Sequence, residues 1–177
     1  MPDPRYEARD LLRVPSLLSL ARLPLAAVFP LALGDVRAAF GVLAAASLSD
    51  VLDGWWARRF HQATALGAVV DGACDKVFVA TVAVTLGVTH RLSWPEVLLL
   101  GARDGGEAVL AAVVLSRGDA RARHEEQRAG PWGKAATMVQ FVAVVLAVAR
   151  MPGVLACCAL CAACGAVAVA TYARRAL

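Results

Sequence analysis

The chain is predicted to be an all-α integral membrane protein: six transmembrane helices behind a short N-terminal interfacial helix, in one domain covering residues 1–177. Three observations lead there. Of its residues 59% are hydrophobic and only 18% are charged, against roughly 25% charged in an ordinary soluble domain, and the mean hydropathy is +0.62. Six apolar stretches each approach the ~20 residues that a helix needs to cross the hydrocarbon. The basic residues between those stretches fall mostly on one side.

The elements follow in chain order. Residues 1–13 (M-P-D-P-R-Y-E-A-R-D-L-L-R) mix charge with leucine, which predicts a short amphipathic helix at the interface and no cleavable leader. The first span covers residues 14–33. Pro15 falls in its first turn, where proline is tolerated, and Pro24 and Pro30 lie inside it, where a kink is expected. The second span covers 36–57 and the third 65–89, with a short polar loop around Arg58, Arg59 and His61 between them. The fourth, 94–116, opens on Pro95, and the fifth, 134–151, follows Pro131.

The sixth span, 154–172, contains A-C-C-A-L-C-A-A-C. The repeated C-x-x-C spacing of Cys157, Cys158, Cys161 and Cys164 is compatible with a metal cluster. With no charged partner nearby, these are read as small polarizable residues packing on a lipid-embedded helix, and Cys74 likewise.

An N-terminus in the cytoplasm places Arg5, Arg9, Arg13, Arg58, Arg59, Arg117, Arg121, Arg123, Arg128, Lys134, Arg174 and Arg175 inside, and only Arg37, Arg91 and Arg150 outside. That bias fits six spans with both termini cytoplasmic, as in a bacterial inner membrane. It also accounts for the net charge of +4 without a nucleic-acid partner; four Trp and two Tyr are too few and scattered for a base-stacking surface. The charged loop from Arg117 to Trp132 is read mainly as solvated, and its basic rim suits anionic headgroups. His61 and His124 are read as loop residues, and Trp55 and Trp56 as interfacial anchors.

Four acids break the apolar pattern. Asp50 and Asp53 are three residues apart and Asp71 and Asp75 four apart, so each pair shares one helical face. Asp53 precedes the polar loop at Arg58 by about 8 Å of helix, and Asp71 follows the loop at similar depth. The two pairs are therefore expected to face each other just below the cytoplasmic surface. A carboxylate at membrane depth is costly and usually functional. Four together describe a site for Mg²⁺ or Mn²⁺, since hard oxygens suit these ions and no histidine–cysteine set of zinc spacing accompanies them. Two such ions can clamp a diphosphate, and Arg58 adds a positive fork for phosphate. Gly54, Gly67 and Gly72 allow close approach of a ligand or helix.

The string Asp50-x-x-Asp53-Gly54-x-x-Ala57-Arg58, eight residues, then Gly67-x-x-x-Asp71-x-x-x-Asp75 resembles the signature of the CDP-alcohol phosphatidyltransferase family at every position. Val14-Pro15-Ser16-Leu17-Leu18-Ser19-Leu20-Ala21-Arg22 is similar to the first helix of the phosphatidylglycerophosphate synthases of bacteria, and Gly133-Lys134 to the opening of their fifth. The resemblance implies an enzyme with its active site at the cytoplasmic side, which moves a phosphatidyl group from CDP-diacylglycerol to an alcohol and releases CMP. It implies that Asp50, Asp53 and Asp71 bind metal with Asp71 bridging, that Asp75 lies beside the metals as general base, and that Gly54, Ala57, Arg58 and Gly67 form the CDP pocket, with Thr64 a further contact.

Arg103 and Lys134 are candidates for the phosphate of an acceptor such as glycerol 3-phosphate; equally, Arg103 pairs with Asp104 or Glu107 and Lys134 snorkels. Arg22 either contacts a lipid phosphate or pairs with an intramembrane acid. Ser16, Asp104 and Ala136 depart from the synthase pattern, which leaves inositol 1-phosphate, serine and phosphatidylglycerol open as acceptors. A divalent-cation transporter is the alternative class, although the acids hug one face and no repeated halves appear; an inert scaffold is a third. Small residues in several spans would permit a homodimer.

Overall fold

The computed structural model describes residues 14–60, 64–117 and 131–176, and no strand occurs among the described residues. The helices are α1 (Val14–Leu20), α2 (Arg22–Ala32), α3 (Val36–Arg59), α4 (Ala65–Val88), α5 (Trp94–Arg117), α6 (Pro131–Ala149) and α7 (Val154–Ala176). The expected interfacial helix, His61, His124 and most of the charged loop before Trp132 lie outside the described residues.

The first predicted span is interrupted once, at Ala21 between α1 and α2, with Ala21 itself still in helical conformation (φ −62°, ψ −18°). The ladder stops at Leu20, four residues before Pro24, which has no N–H for the Leu20 carbonyl and whose ring crowds that oxygen. The next bond, Leu25 N–H to the Ala21 carbonyl, is stretched to 3.5 Å. Local chemistry sets other ends. The Asp35 carboxylate accepts from the Arg37 N–H at 2.8 Å and starts α3. Glu96 accepts from both the N–H and the hydroxyl of Ser93 at 2.7 Å, the glutamate half of a capping box at the start of α5. His90 (φ 54°) and Arg150 (φ 55°) take left-handed conformations just past α4 and α6. Arg91, in the loop after α4, donates to the Val148 carbonyl at 2.6 Å. Burial, with Arg150 nearby, holds its guanidinium below the ordinary value.

Among the described residues, three stretches are long and apolar enough to cross a membrane: Val14–Ala32, Trp132–Ala149 and Val154–Thr171. Helices α3, α4 and α5 have 24 residues each, about 36 Å at ~1.5 Å per residue, but carry the charges discussed above.

The chain forms two compact units, Met1–Val82 and Ala83–Leu177. In the first, α1 and α2 pack against α3. Their buried stripe begins polar, with Ser16, Ser19 and Arg22 inside, and continues through Ala26 and Phe29, while Leu17, Val28 and Leu31 face outward. That is the inverse of a water-soluble helix and suits a hydrocarbon solvent. On α3 and α4, Leu48, Val51, Val69 and Val77 are likewise exposed, an apolar surface that water would not tolerate.

In the second unit α5 and α6 pack on α7. Ala136, Ala143 and Ala147 of α6 are buried, as are Cys158, Cys161 and Ala168 of α7; small residues let backbones approach closely. All five cysteines are free thiols, and Cys161 Sγ donates to the Ala136 carbonyl at 3.6 Å. Cys158 and Cys161 are thus buried within the second unit, Cys161 against α6, as a packing role requires, while Cys157 and Cys164 are half-buried. Buried Gln140 of α6 donates to Asp104 Oδ2 at 2.8 Å and to the Leu100 carbonyl at 3.3 Å, tying α6 to α5.

Candidate active site

Helix α3 carries Asp50 and Asp53 on its last turns, and α4 carries Asp71 and Asp75 on its second and third. Thr64 starts α4: its Oγ1 accepts from the Gly67 N–H at 3.0 Å, a Thr cap three residues upstream. A Cβ at Gly67 would stand 2.9 Å from Thr64 Oγ1 and 3.4 Å from Ser16 Oγ, so a side chain there would displace the cap or press on α1.

Oxygens of Asp50, Asp53 and Asp71 lie within 4.8 Å of one another. Two helices thus bring three of the four expected carboxylates to one place, and Asp75 is not in the converging group. Asp53 is buried, with its side chain 7% exposed, whereas Asp50 and Asp71 are 58% and 42% exposed. The cluster is closed on the Asp53 side and reachable on the other.

The closed side is supplied by α1 and α2. Arg22 is 1% exposed, and one of its nitrogens, Nη2, reaches Asp53 Oδ2 at 2.5 Å, Asp71 Oδ1 at 2.7 Å and Asp50 Oδ1 at 3.1 Å. Nη1 lies 3.7 Å from Asp75 Oδ1. Ser19, one turn earlier, places its hydroxyl 3.0 Å from Asp53 Oδ2 and 3.2 Å from Asp71 Oδ1. It also reaches the Pro15 carbonyl at 3.1 Å, so its single proton is shared among three acceptors. Of the two readings of Arg22, pairing with the acids is the one found, on α3 and α4. Ser19 was not expected in the site. Its signal lay in the spacing Ser16-x-x-Ser19-x-x-Arg22, polar residues on one face of an otherwise apolar helix.

The remaining candidates are distributed as follows. Asp75 stands next to the three converging acids, on the Nη1 side of Arg22. Gly54 and Ala57 are half-buried on the turns of α3 after Asp53, while the side chains of Arg58 and Arg103 lie outside the described residues. Asp104, offered as a partner for Arg103, accepts from Gln140. Lys134 is exposed on the first turn of α6, in the second unit. Trp55, Trp56 and Phe60 cluster at the end of α3, with the Trp56 and Phe60 rings 4.5 Å apart. Trp55 is exposed, as an interfacial indole would be.

The donor set fits a hard divalent cation. It consists of carboxylate oxygens alone, which suit Mg²⁺ or Mn²⁺. Their point of convergence already holds a positive nitrogen, showing that the local field favours a cation there. Cysteine sulfurs form no comparable group of three among the described residues.

A helical chain with apolar outer faces and carboxylates gathered about a buried cation belongs to the class of membrane proteins with an acidic cation site. Comparison with known proteins makes the class particular. The family model described as CDP-alcohol phosphatidyltransferase matches residues 12–172, and the chain belongs to that family. It is therefore an integral membrane transferase of phospholipid synthesis, as the motif resemblance implied. Over 149 residues it is 34% identical to a probable phosphatidylglycerophosphate synthase of Mycobacterium tuberculosis, covering 79% of this chain and 68% of the relative. It is 30% identical to a CDP-diacylglycerol–glycerol-3-phosphate 3-phosphatidyltransferase of Pseudomonas fluorescens over 149 residues, 80% and 74% of the two chains. A putative cardiolipin synthase of Mycobacterium tuberculosis is 32% identical over 119 residues, 66% of this chain and 57% of the relative.

Proposed function

We propose that the chain transfers the phosphatidyl group of CDP-diacylglycerol to glycerol 3-phosphate, giving phosphatidylglycerophosphate and CMP. The observation that carries the chemistry is the convergence of Asp50, Asp53 and Asp71 oxygens within 4.8 Å around a buried cation. The acceptor is supported by the relatives named for that reaction and by the first-helix resemblance. Asp50, Asp53 and Asp71 would hold Mg²⁺ or Mn²⁺, with Asp75 beside them. When bound, the metal would supply positive charge for the diphosphate and for the departing CMP oxygen. Gly54, Ala57, Arg58, Thr64 and Gly67 line the CDP side, where small residues admit the nucleotide and Arg58 offers a fork to phosphate. The acceptor hydroxyl oxygen attacks the β-phosphorus, the bond from that phosphorus to CMP breaks, and the hydroxyl proton passes to Asp75. Arg103 and Lys134 bind the acceptor's phosphate.

The chain is read as one domain with six spans, α1 and α2 together forming the first. The acids of α3 and α4 lie just beneath the cytoplasmic face of a bacterial inner membrane, with both termini cytoplasmic. The length of α3, α4 and α5 and their exposed apolar residues support that placement, as does the distribution of arginine and lysine. Two copies form a homodimer through small-residue helix faces.

The cardiolipin synthase relative favours a second acceptor, phosphatidylglycerol. The test is a panel of glycerol 3-phosphate, phosphatidylglycerol, inositol 1-phosphate and serine with purified protein, CDP-diacylglycerol and Mn²⁺, the product identified by mass. CMP release that depends on glycerol 3-phosphate and yields phosphatidylglycerophosphate supports the assignment. Release driven by another alcohol moves the acceptor, and Mn²⁺ flux into vesicles without CMP release replaces the enzyme with a transporter.

A further inference from the structure

We infer that Arg22 is a positioning residue that competes with the divalent ion for one place: its guanidinium holds the three carboxylates together until the ion displaces it. The inference rests on the metal-binding reading above and adds a resident rival to it.

Three observations carry it. First, Nη2 alone contacts Asp50, Asp53 and Asp71, at 3.1, 2.5 and 2.7 Å, so one nitrogen sits where the oxygens of three acids converge. A divalent ion bound to those same oxygens and this nitrogen cannot occupy that point together. Second, the guanidinium is used poorly for a permanent ion pair. Arginine normally meets carboxylates with two parallel bonds from its fork. Here Nε and Nη1 are buried and make no hydrogen bond, and Nη1 stands off from Asp75 at 3.7 Å. A buried charge whose remaining donors go unsatisfied is an expensive arrangement, suited to a group that has somewhere else to be. Third, Arg22 follows the interruption between α1 and α2, where the Leu20 carbonyl has no N–H from Pro24 and the next bond is stretched to 3.5 Å. A change in its position therefore does not require breaking an intact helix.

The physical role is clear from charge. Three carboxylates held this close by α3 and α4 repel one another. The guanidinium compensates them, keeps the helix ends in register for a metal, and by occupying the place weakens apparent metal affinity in proportion to the fraction of time it is there. Ser19 bonds the same Asp53 and Asp71 oxygens and remains as a neutral donor after the exchange.

The experiment measures Mn²⁺ binding to the full-length protein in detergent by electron paramagnetic resonance, wild type against Arg22→Gln and Arg22→Lys, with thermal unfolding recorded with Mn²⁺ and with chelator. Arg22→Gln is expected to bind Mn²⁺ about tenfold more tightly or better, because the competing state is gone, and to lose more thermal stability in chelator than wild type does. Arg22→Lys, a point charge without the fork, falls between them. Should Arg22→Gln not fold, arginine side-chain Nε resonances of the wild type carry the test, with Arg22→Lys identifying the Arg22 signal. That signal is expected to shift with Mg²⁺ and saturate. Equal or weaker Mn²⁺ binding by Arg22→Gln folded like wild type in Mn²⁺ overturns the inference and leaves the metal reading standing. An Arg22 resonance indifferent to Mg²⁺ does the same. A wild type that binds no Mn²⁺ removes both.

Discussion

Asp71→Asn isolates the carboxylate charge, because it keeps the side chain's shape and exchanges one oxygen for an amide nitrogen. Asp71 Oδ1 is the oxygen that Arg22 reaches at 2.7 Å and Ser19 at 3.2 Å, and Asp71 is 42% exposed. Solvent therefore screens it, and an effective dielectric near 20 applies, at which a unit charge about 4 Å from a cation interacts by about 4 kcal/mol. If that interaction stabilises the charge that develops on the departing CMP, its loss slows the reaction by about 10³-fold, at ~1.4 kcal/mol per factor of ten. Folding is affected far less, since Asp50 and Asp53 still pair with Arg22; about 1 kcal/mol or less is expected for a partly exposed pair. The assay is acceptor-dependent CMP release in mixed micelles with Mn²⁺, alongside thermal unfolding. Asp35→Asn is the control, because asparagine also caps a helix and Asp35 lies on the exposed start of α3. An Asp71→Asn protein that keeps more than about a tenth of wild-type turnover would have lost less than ~1.4 kcal/mol, and the metal role of Asp71 would be refuted.

Other consequences follow from single contacts. Thr64→Ala removes the α4 cap on the Gly67 N–H; a loss of about 1 kcal/mol is expected, read as a lower unfolding midpoint. Gln140→Leu deprives Asp104 and the Leu100 carbonyl of their shared donor, and should cost about 1–3 kcal/mol by the same measurement. Replacing Cys157, Cys158, Cys161 and Cys164 together by alanine is expected to leave CMP release and bound Mn²⁺ unchanged, because Cys158 and Cys161 are buried packing residues and Cys161 meets α6; lost metal in that variant would contradict the packing role. Pro24→Ala restores the missing N–H to the Leu20 carbonyl. Continuing the helix there should rotate Ser19 and Arg22 relative to the acids, so CMP release falls even though the helix itself is a better one.

Much of this was legible in the chain because the information was local. Helix ends agree with the apolar pattern to within a few residues, for instance α4 at Ala65–Val88 against 65–89, since caps such as Asp35 and Ser93–Glu96 lie beside them. The convergence of Asp50, Asp53 and Asp71 was legible because helical periodicity pairs the acids on each helix and one short loop joins the two helices; Asp75 shares its helical face with Asp71 but stays outside the group. What came from far along the chain was at best an open alternative. Arg22 lies 31 residues from Asp53 and 49 from Asp71, and no periodicity within α3 or α4 says which distant cation closes their cluster. Ser19 was obscured for the same reason, its hydroxyl having meaning only once α1 sits on α3. The break at Ala21 was displaced from its cause, because proline disables the carbonyl four residues before it rather than its own position.

The account turns on a divalent ion held by Asp50, Asp53 and Asp71. The most direct measurement is anomalous diffraction from crystals of the protein grown with Mn²⁺ and CDP-diacylglycerol. The account predicts an anomalous peak among those three carboxylates, at about 2.0–2.2 Å from their oxygens as small hard cations require, with the Arg22 guanidinium moved off Asp71. Active protein whose Mn²⁺ peaks lie elsewhere, with Arg22 still bonded to all three acids, would contradict it.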